Sequence, residues 1–185
     1  MIYGIKFLPR KHEKYNFNMN GNSEQFNLDA IDLALLDQLQ ADASLSNQEL
    51  ARRVHVSPPT CLRRVKRLHD AGLIERQIAI LSTDRLAPLL GHGLQAVVEI
   101  MLDRQVQQEQ EAFETRIVQD DAVQQCYRVS PGPDFILVVH VPDMPAYLAL
   151  AQRLFTSDAN VRNVKAFFSM HRAKFQPKVP LARHS

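Results

Sequence analysis

Residues 46–76 read SNQELARRVHVSPPTCLRRVKRLHDAGLIER, and this stretch decides the architecture of the first half of the chain. Ser46-Asn47-Gln48-Glu49 fits a capping box, with Ser46 as the cap and Glu49 reaching back, and Leu45 and Leu50 are spaced for a hydrophobic staple across it. Leu50, Ala51 and Val54 then face inward, and His55-Val56-Ser57 supplies a turn. Ser57 caps the next helix, and Pro58 occupies its first position, where a missing N–H costs nothing. Cys61, Leu62, Val65 and Leu68 are expected on the core face, with Thr60, Arg63, Arg64 and Arg67 on the opposite side. Gly72 is placed to end the helix in a left-handed conformation. Two helices joined by a tight turn, the second carrying arginine outward, is what a chain needs to push a helix into the DNA major groove.

Upstream, a first helix is expected from about Asp29 to Asp42. Asp29 is its cap, Asp32 sits in the first turn, and Ile31, Leu35, Leu36 and Leu39 make a buried stripe. Residues 1–26 read as a polar, Asn-rich N-terminal extension, within which Met19 is an alternative start. Downstream, Leu73 to Leu81 reads as a β-ribbon, so residues 27–81 make a winged helix-turn-helix. Residues 82–93 read as a linker with a short helix around Asp84–Leu90.

From Leu94 the periodicity changes. Leu94–Leu102 alternates as a strand, with Ala96, Val98, Ile100 and Leu102 on one side. A helix over Gln107–Gln119, with Phe113 and Ile117 inward, precedes a strand over Val123–Val129. Ser130-Pro131-Gly132-Pro133-Asp134 is a turn, and Phe135–Val141 is an apolar central strand. Asp143 caps a helix expected to bury Met144, Leu148, Ala151 and Phe155, and Val161–Arg172 is the last strand. The order β-α-β-β-α-β is that of a ferredoxin-like α+β domain over residues 94–175, followed by a tail over 176–185. Two helices cover one face of such a sheet. The other face presents apolar Val97, Met101 and Phe167, so a homodimer made by this domain is expected.

Charge is unevenly placed along the 185 residues, although the net value is only +2. Residues 51–76 hold seven Lys and Arg against two acids, whereas residues 27–50 hold five acids and no Lys or Arg. Residues 94–126 hold seven acids against Arg104 and Arg116. A concentrated basic element on a neutral or acidic body is an electrostatic footprint for a polyanion. Arginine pairs bidentately with guanine or clamps phosphate, and Ser and Thr do either. The expected DNA contacts are therefore Ser57, Pro58, Thr60, Arg63, Arg64 and Arg67, with Gln48 reaching a backbone phosphate. The bland alternative for each arginine is a solvated helix face. Cys61 and Cys126 both sit in apolar patterns and suit reduced thiols, with no disulfide framework or zinc spacing. The seven histidines have no metal-ligand spacing, and no nucleophile triad or glycine-rich phosphate loop is present, so neither a metal nor catalysis is expected. No apolar run approaches a membrane span, and a cytoplasmic location is expected.

LDAIDLALLDQLQADA, LSNQELARRVHVSPPTCLRRVKRLHDAGLIE and VSPGPDFILVVHVPDM together resemble the Lrp/AsnC (feast/famine) family of bacterial transcription regulators, over about residues 27–175 and close to the leucine-responsive branch. The resemblance implies a C-terminal domain that forms dimers assembling into octamers or open helices, with amino acids bound between dimers. It carries the effector region onto Val129, Ser130, Gly132, Asp134 and Phe135. Glycine lets a carboxylate approach the backbone closely, and an Asp can pair with an ammonium. The competing reading is that Gly132 and Asp134 only shape a hairpin turn, stiffened by Pro131 and Pro133. Leucine or methionine is the expected effector, no other cofactor is expected, and double-stranded pseudo-palindromic DNA is the expected partner. Two rivals share this layout: a sirohaem decarboxylase-like enzyme, and an amino-acid-binding assembly module without DNA binding. The basic face of Arg63, Arg64 and Arg67 argues against the first.

Overall fold

Helices α1 (Ala30–Ala41), α2 (Asn47–Arg53) and α3 (Pro58–Asp70) begin where the sequence caps them. They come from a computed structural model that describes residues 26–90 and 93–181. The chain divides into two compact units, one built on the chain up to Ile78 and again from Lys178, the other spanning Ala79–Pro177.

In the first unit, the complete capping box lies on α1. Asp29 accepts the Asp32 N–H at 2.9 Å, and the Asp32 carboxylate accepts the Asp29 N–H at 3.1 Å. On α2 the box is half made. Ser46 Oγ accepts the Glu49 N–H at 3.2 Å, but the Glu49 carboxylate turns along the helix to Arg52 and Arg53 instead of reaching back. Two guanidinium partners outcompete one neutral N–H. They hold the Glu49 carboxyl down at about 2.

Both α2 and α3 end in Schellman motifs. The Val56 N–H donates to Ala51 and the His55 N–H to Arg52; one helix later, Leu73 donates to Leu68 and Gly72 to His69. The left-handed residue is Gly72 in one (φ 71°) and His55 in the other (φ 55°). Histidine tolerates this region better than most side chains but still costs energy there. His55→Gly is therefore expected to stabilise the helix-turn-helix by about 0.5 kcal/mol after glycine's entropy cost, and His55→Val to destabilise it by about 1–2 kcal/mol. Urea unfolding of the two variants checks the pair; equal midpoints would remove the argument.

Leu35, Leu50, Ala51, Cys61 and Leu68 form the core of this unit, with Val54, Val56, Val65 and Ile74 packed against it. Two expectations need correction. Leu62 is 61% exposed rather than buried. At 100° per residue it lies about 100° round from Cys61 and about 120° from Leu68, the two buried residues of the helix. Leu73 to Leu81 forms no strand, and Ile78, Ile80 and Leu81 are exposed. A ribbon needs a partner strand, and none lies beside it among the described residues. The returning tail docks on α1. The Gln40 side chain donates to Val179 O at 3.0 Å and accepts the Val179 N–H at 2.9 Å, and Lys178 meets Asp37 at 3.4 Å.

The second unit starts with α4 (Thr83–Leu90) and continues β1 (Leu94–Leu102), α5 (Gln107–Ile117), β2 (Val123–Arg128), β3 (Phe135–Val141), α6 (Met144–Ala151) and β4 (Val161–Phe168). A π-helical turn, Gln152–Thr156, extends α6. The four strands make one antiparallel sheet in the order β2-β3-β1-β4. The expected β1 alternation holds: Ala96, Val98, Ile100 and Leu102 are buried with Phe135, Leu137, Val139 and Val141 under Phe113 and Ile117. On α6 the buried face is Tyr147, Leu150, Leu154 and Phe155, whereas Met144 and Leu148 are exposed. The face is set by Tyr147, whose ring meets Phe168 edge-on at 5.0 Å, a contact that helical periodicity alone does not reveal. On the other sheet face, Val138, Val97 and Phe167 stand side by side across three strands; Val97 is 38% and Phe167 55% exposed.

Candidate DNA-binding face and effector loop

Helix α3 is held against α1 by charge. Arg64 Nη1 donates to Asp29 at 2.7 Å and to Asp32 at 2.8 Å, and Arg67 Nη2 donates to the other Asp32 oxygen. Asp32 is fully buried, the Arg64 side chain is 20% exposed and that of Arg67 is 44% exposed. The Asp32 N–H and Arg64 hold the Asp29 carboxyl below its usual range. The Arg67 guanidinium also lies 4.8 Å from the Phe26 ring centroid. Arg64, expected on the outer side of α3, has its guanidinium committed to two carboxylates of α1, since charge-assisted bonds to ionised acids are the stronger ones.

The remaining α3 residues are placed differently. Arg63 and Lys66 are exposed and make no ion pair among the described residues. Ser57 Oγ accepts the Thr60 N–H at 3.4 Å and lies 2.9 Å from Thr60 Oγ1, so the two hydroxyls are partnered locally at the start of the helix. Pro58 is exposed, and its carbonyl accepts from Asn47 Nδ2 at 2.9 Å, tying the starts of α2 and α3 together. Gln48 is exposed at the start of α2. The structure brings Ser57, Pro58, Thr60, Arg63, Arg64 and Arg67 onto one helix, with Asn27 and Asp29 joining the three arginines around an open depression. Leu62 and Lys66 are also exposed on α3, and a helical wheel centred on Arg63 finds Lys66.

The loop between β2 and β3 divides the five effector residues. Ser130 and Gly132 are exposed and Val129 is half-buried. Gly132 has φ 126°, a conformation that excludes most side chains, although a Cβ there would meet nothing within 4 Å. Asp134 and Phe135 are buried. The Asp134 carboxylate accepts the Leu102 N–H at 2.7 Å and Gln105 Nε2 at 3.3 Å, so it closes the end of β1. The Phe135 ring lies inside the core, 4.9 Å from Phe113. Asp134 and Phe135, two of the five expected effector residues, thus make contacts within the fold, whereas Ser130 and Gly132 are exposed on the loop. Among the described residues no cluster of His, Cys, Asp and Glu is arranged for a metal, and no helix is long and apolar enough to cross a membrane.

Residues 28–75 match the family model for winged helix-turn-helix DNA-binding domains, and residues 95–179 match that for the Lrp/AsnC ligand binding domain. The chain is 35% identical over 147 residues to the leucine-responsive regulatory protein of Escherichia coli (strain K12), covering 80% of this chain and 87% of that protein. It is 36% identical over 147 residues to an uncharacterized HTH-type transcriptional regulator of Haemophilus influenzae, covering 80% of this chain and 85% of that one. Among solved structures, a Neisseria meningitidis transcriptional regulator in complex with L-Met superposes with TM-score 0.74 at 30% identity, over 84% of this chain and 97% of that chain. An AsnC family transcriptional regulator from Agrobacterium tumefaciens gives TM-score 0.74 at 28% identity, over 83% and 97%.

Proposed function

This chain belongs to the Lrp/AsnC family and is an Lrp-type transcription regulator with a DNA-binding helix-turn-helix and an amino-acid-binding domain, and we propose how its residues divide that work. The family is one of transcription regulators, which are not enzymes. The observation that carries the proposal is the unequal commitment of the α3 arginines: Arg63 makes no ion pair among the described residues, where Arg64 and Arg67 are clamped to α1. Arg63 enters the major groove as the principal cation, with Ser57, Pro58 and Thr60 at the helix start beside the bases and sugar-phosphate. Gln48 reaches a phosphate from α2. Arg67, half-exposed, contributes charge from the flank, while Arg64 acts chiefly through the α1–α3 clamp.

The effector is a small apolar amino acid, methionine or leucine. The methionine complex of the Neisseria relative supports the first, and the name of the E. coli relative suggests the second. In this chain its polar end meets the Val129–Pro133 loop, whose Gly132 leaves the backbone open to a carboxylate. The apolar row Val138–Val97–Phe167 makes a homodimer face, the first step toward an octamer in the cytoplasm. The ligand favours one assembly over another and so shifts the spacing of paired DNA-binding units.

Anisotropy titration of promoter-bearing genomic fragments, across a salt series with and without L-methionine and L-leucine, tests this reading. Specific binding is expected, with log affinity falling linearly in log salt by about 0.9 per phosphate contact. Arg63→Ala is expected to weaken specific binding about tenfold or more. Salt-independent or absent binding would remove the DNA assignment; binding indifferent to both amino acids would remove the effector assignment.

A further inference from the structure

An apolar side chain stands on the basic helix with nothing among the described residues to cover it. Leu62 is 61% exposed in the second turn of α3, the part of a recognition helix that reaches base edges. Around the helix it is followed by Lys66, Pro59 and Arg63, all exposed, at 100° per residue. The core contacts of α3 are met by Cys61, Val65 and Leu68, so Leu62 is not needed for packing. A lone exposed leucine is ordinary on a protein surface. One standing beside two exposed cations, which make no ion pair among the described residues, is placed where an anionic partner must come, and the major groove is an anionic surface that also carries an apolar group, the C5-methyl of thymine.

We propose that Leu62 is a specificity-determining residue that reads a thymine methyl in the major groove, while Arg63 and Lys66 supply the charge that brings it there. The proposal rests on the DNA-binding reading above and deepens it. It also accounts for the chemistry of the arc: a cation distinguishes guanine or grips phosphate, whereas only an apolar group gains from a methyl.

The test uses the full chain. A preferred duplex is selected from a random-sequence pool, and each thymine is then replaced in turn by deoxyuracil, which removes the C5-methyl alone. For the unaltered protein, one or two positions are expected to lose about fourfold in affinity, the worth of one buried methyl group. In Leu62→Ala the penalty at those positions is expected to vanish while the salt slope stays the same. Leu62→Met, still apolar and helix-compatible, is expected to keep the penalty. Circular dichroism confirms that both variants are folded, and Leu62's exposure makes folding failure no obstacle. If the uracil penalty is absent in the unaltered protein, or persists in full in Leu62→Ala, the proposal is overturned while salt-dependent binding leaves the regulator assignment standing. If no salt-dependent binding occurs at all, both fall together.

Discussion

Phe135→Ala is expected to cost the sheet unit about 4 kcal/mol, enough to unfold much of it, rather than to weaken ligand binding selectively. The ring is fully buried on the central strand β3, between β2 and β1, and lies 4.9 Å from Phe113. Neighbours on both sides are fixed by backbone ladders, so the cavity cannot collapse. The measurement is urea unfolding followed by circular dichroism, with and without L-methionine. A role in the ligand site alone predicts an unchanged midpoint without ligand and a lost ligand response. A core role predicts a large fall in the midpoint under both conditions. A change below about 0.5 kcal/mol, the range of ordinary surface substitutions, would show the core assignment to be wrong.

Asp32→Ala is expected to destabilise the helix-turn-helix by about 3 kcal/mol. Three bonds vanish together: the N–H of Asp29 loses its acceptor, and Arg64 and Arg67 lose the carboxylate between them. Arg64 can turn only partly toward water, and its Nε is already buried without a partner. Replacing both a buried charge and its helix-capping contact makes this the costliest single polar change in the unit. Asp29→Ala, which removes a more exposed carboxylate from the same cluster, is expected to cost about 1 kcal/mol, the usual value for a lost cap. Urea midpoints of the two variants give the comparison, and equal losses would mean that burial of Asp32 contributes nothing.

The contrast between these residues shows which signals a sequence carries. Caps are local: Asp29, Ser46, Ser57 and Asp143 each bond a backbone N–H three residues on, and each marked its helix correctly. The strand alternation of β1 is equally local. The clamp of Asp32 to Arg64 and Arg67 spans more than thirty residues, so a reading of α3 by itself leaves those arginines free. Glu49 was misjudged for a related reason: two arginines one turn away compete with the cap N–H, and only geometry ranks them. At the effector loop the residue types do not tell which side chains turn inward. Asp134 and Phe135 suit a ligand by chemistry, and both point into the fold. Leu62 was assigned to the core because it is apolar, whereas its position around the helix sends it outward.

The tail contacts on α1 make the DNA-binding unit discontinuous along the polypeptide. The chain leaves that unit at Ile78 and re-enters it at Lys178, where the Gln40 amide pairs with both backbone groups of Val179. A fragment cut at residue 81 is therefore incomplete: Gln40 loses two partners and Asp37 loses its lysine. The sheet unit, in contrast, is one unbroken run of sequence. It behaves as a cassette set into its host, so a chimaera that exchanges Ala79–Pro177 as a single segment leaves both cores uncut, whereas one that swaps everything after residue 81 severs α1 from its own closing strap.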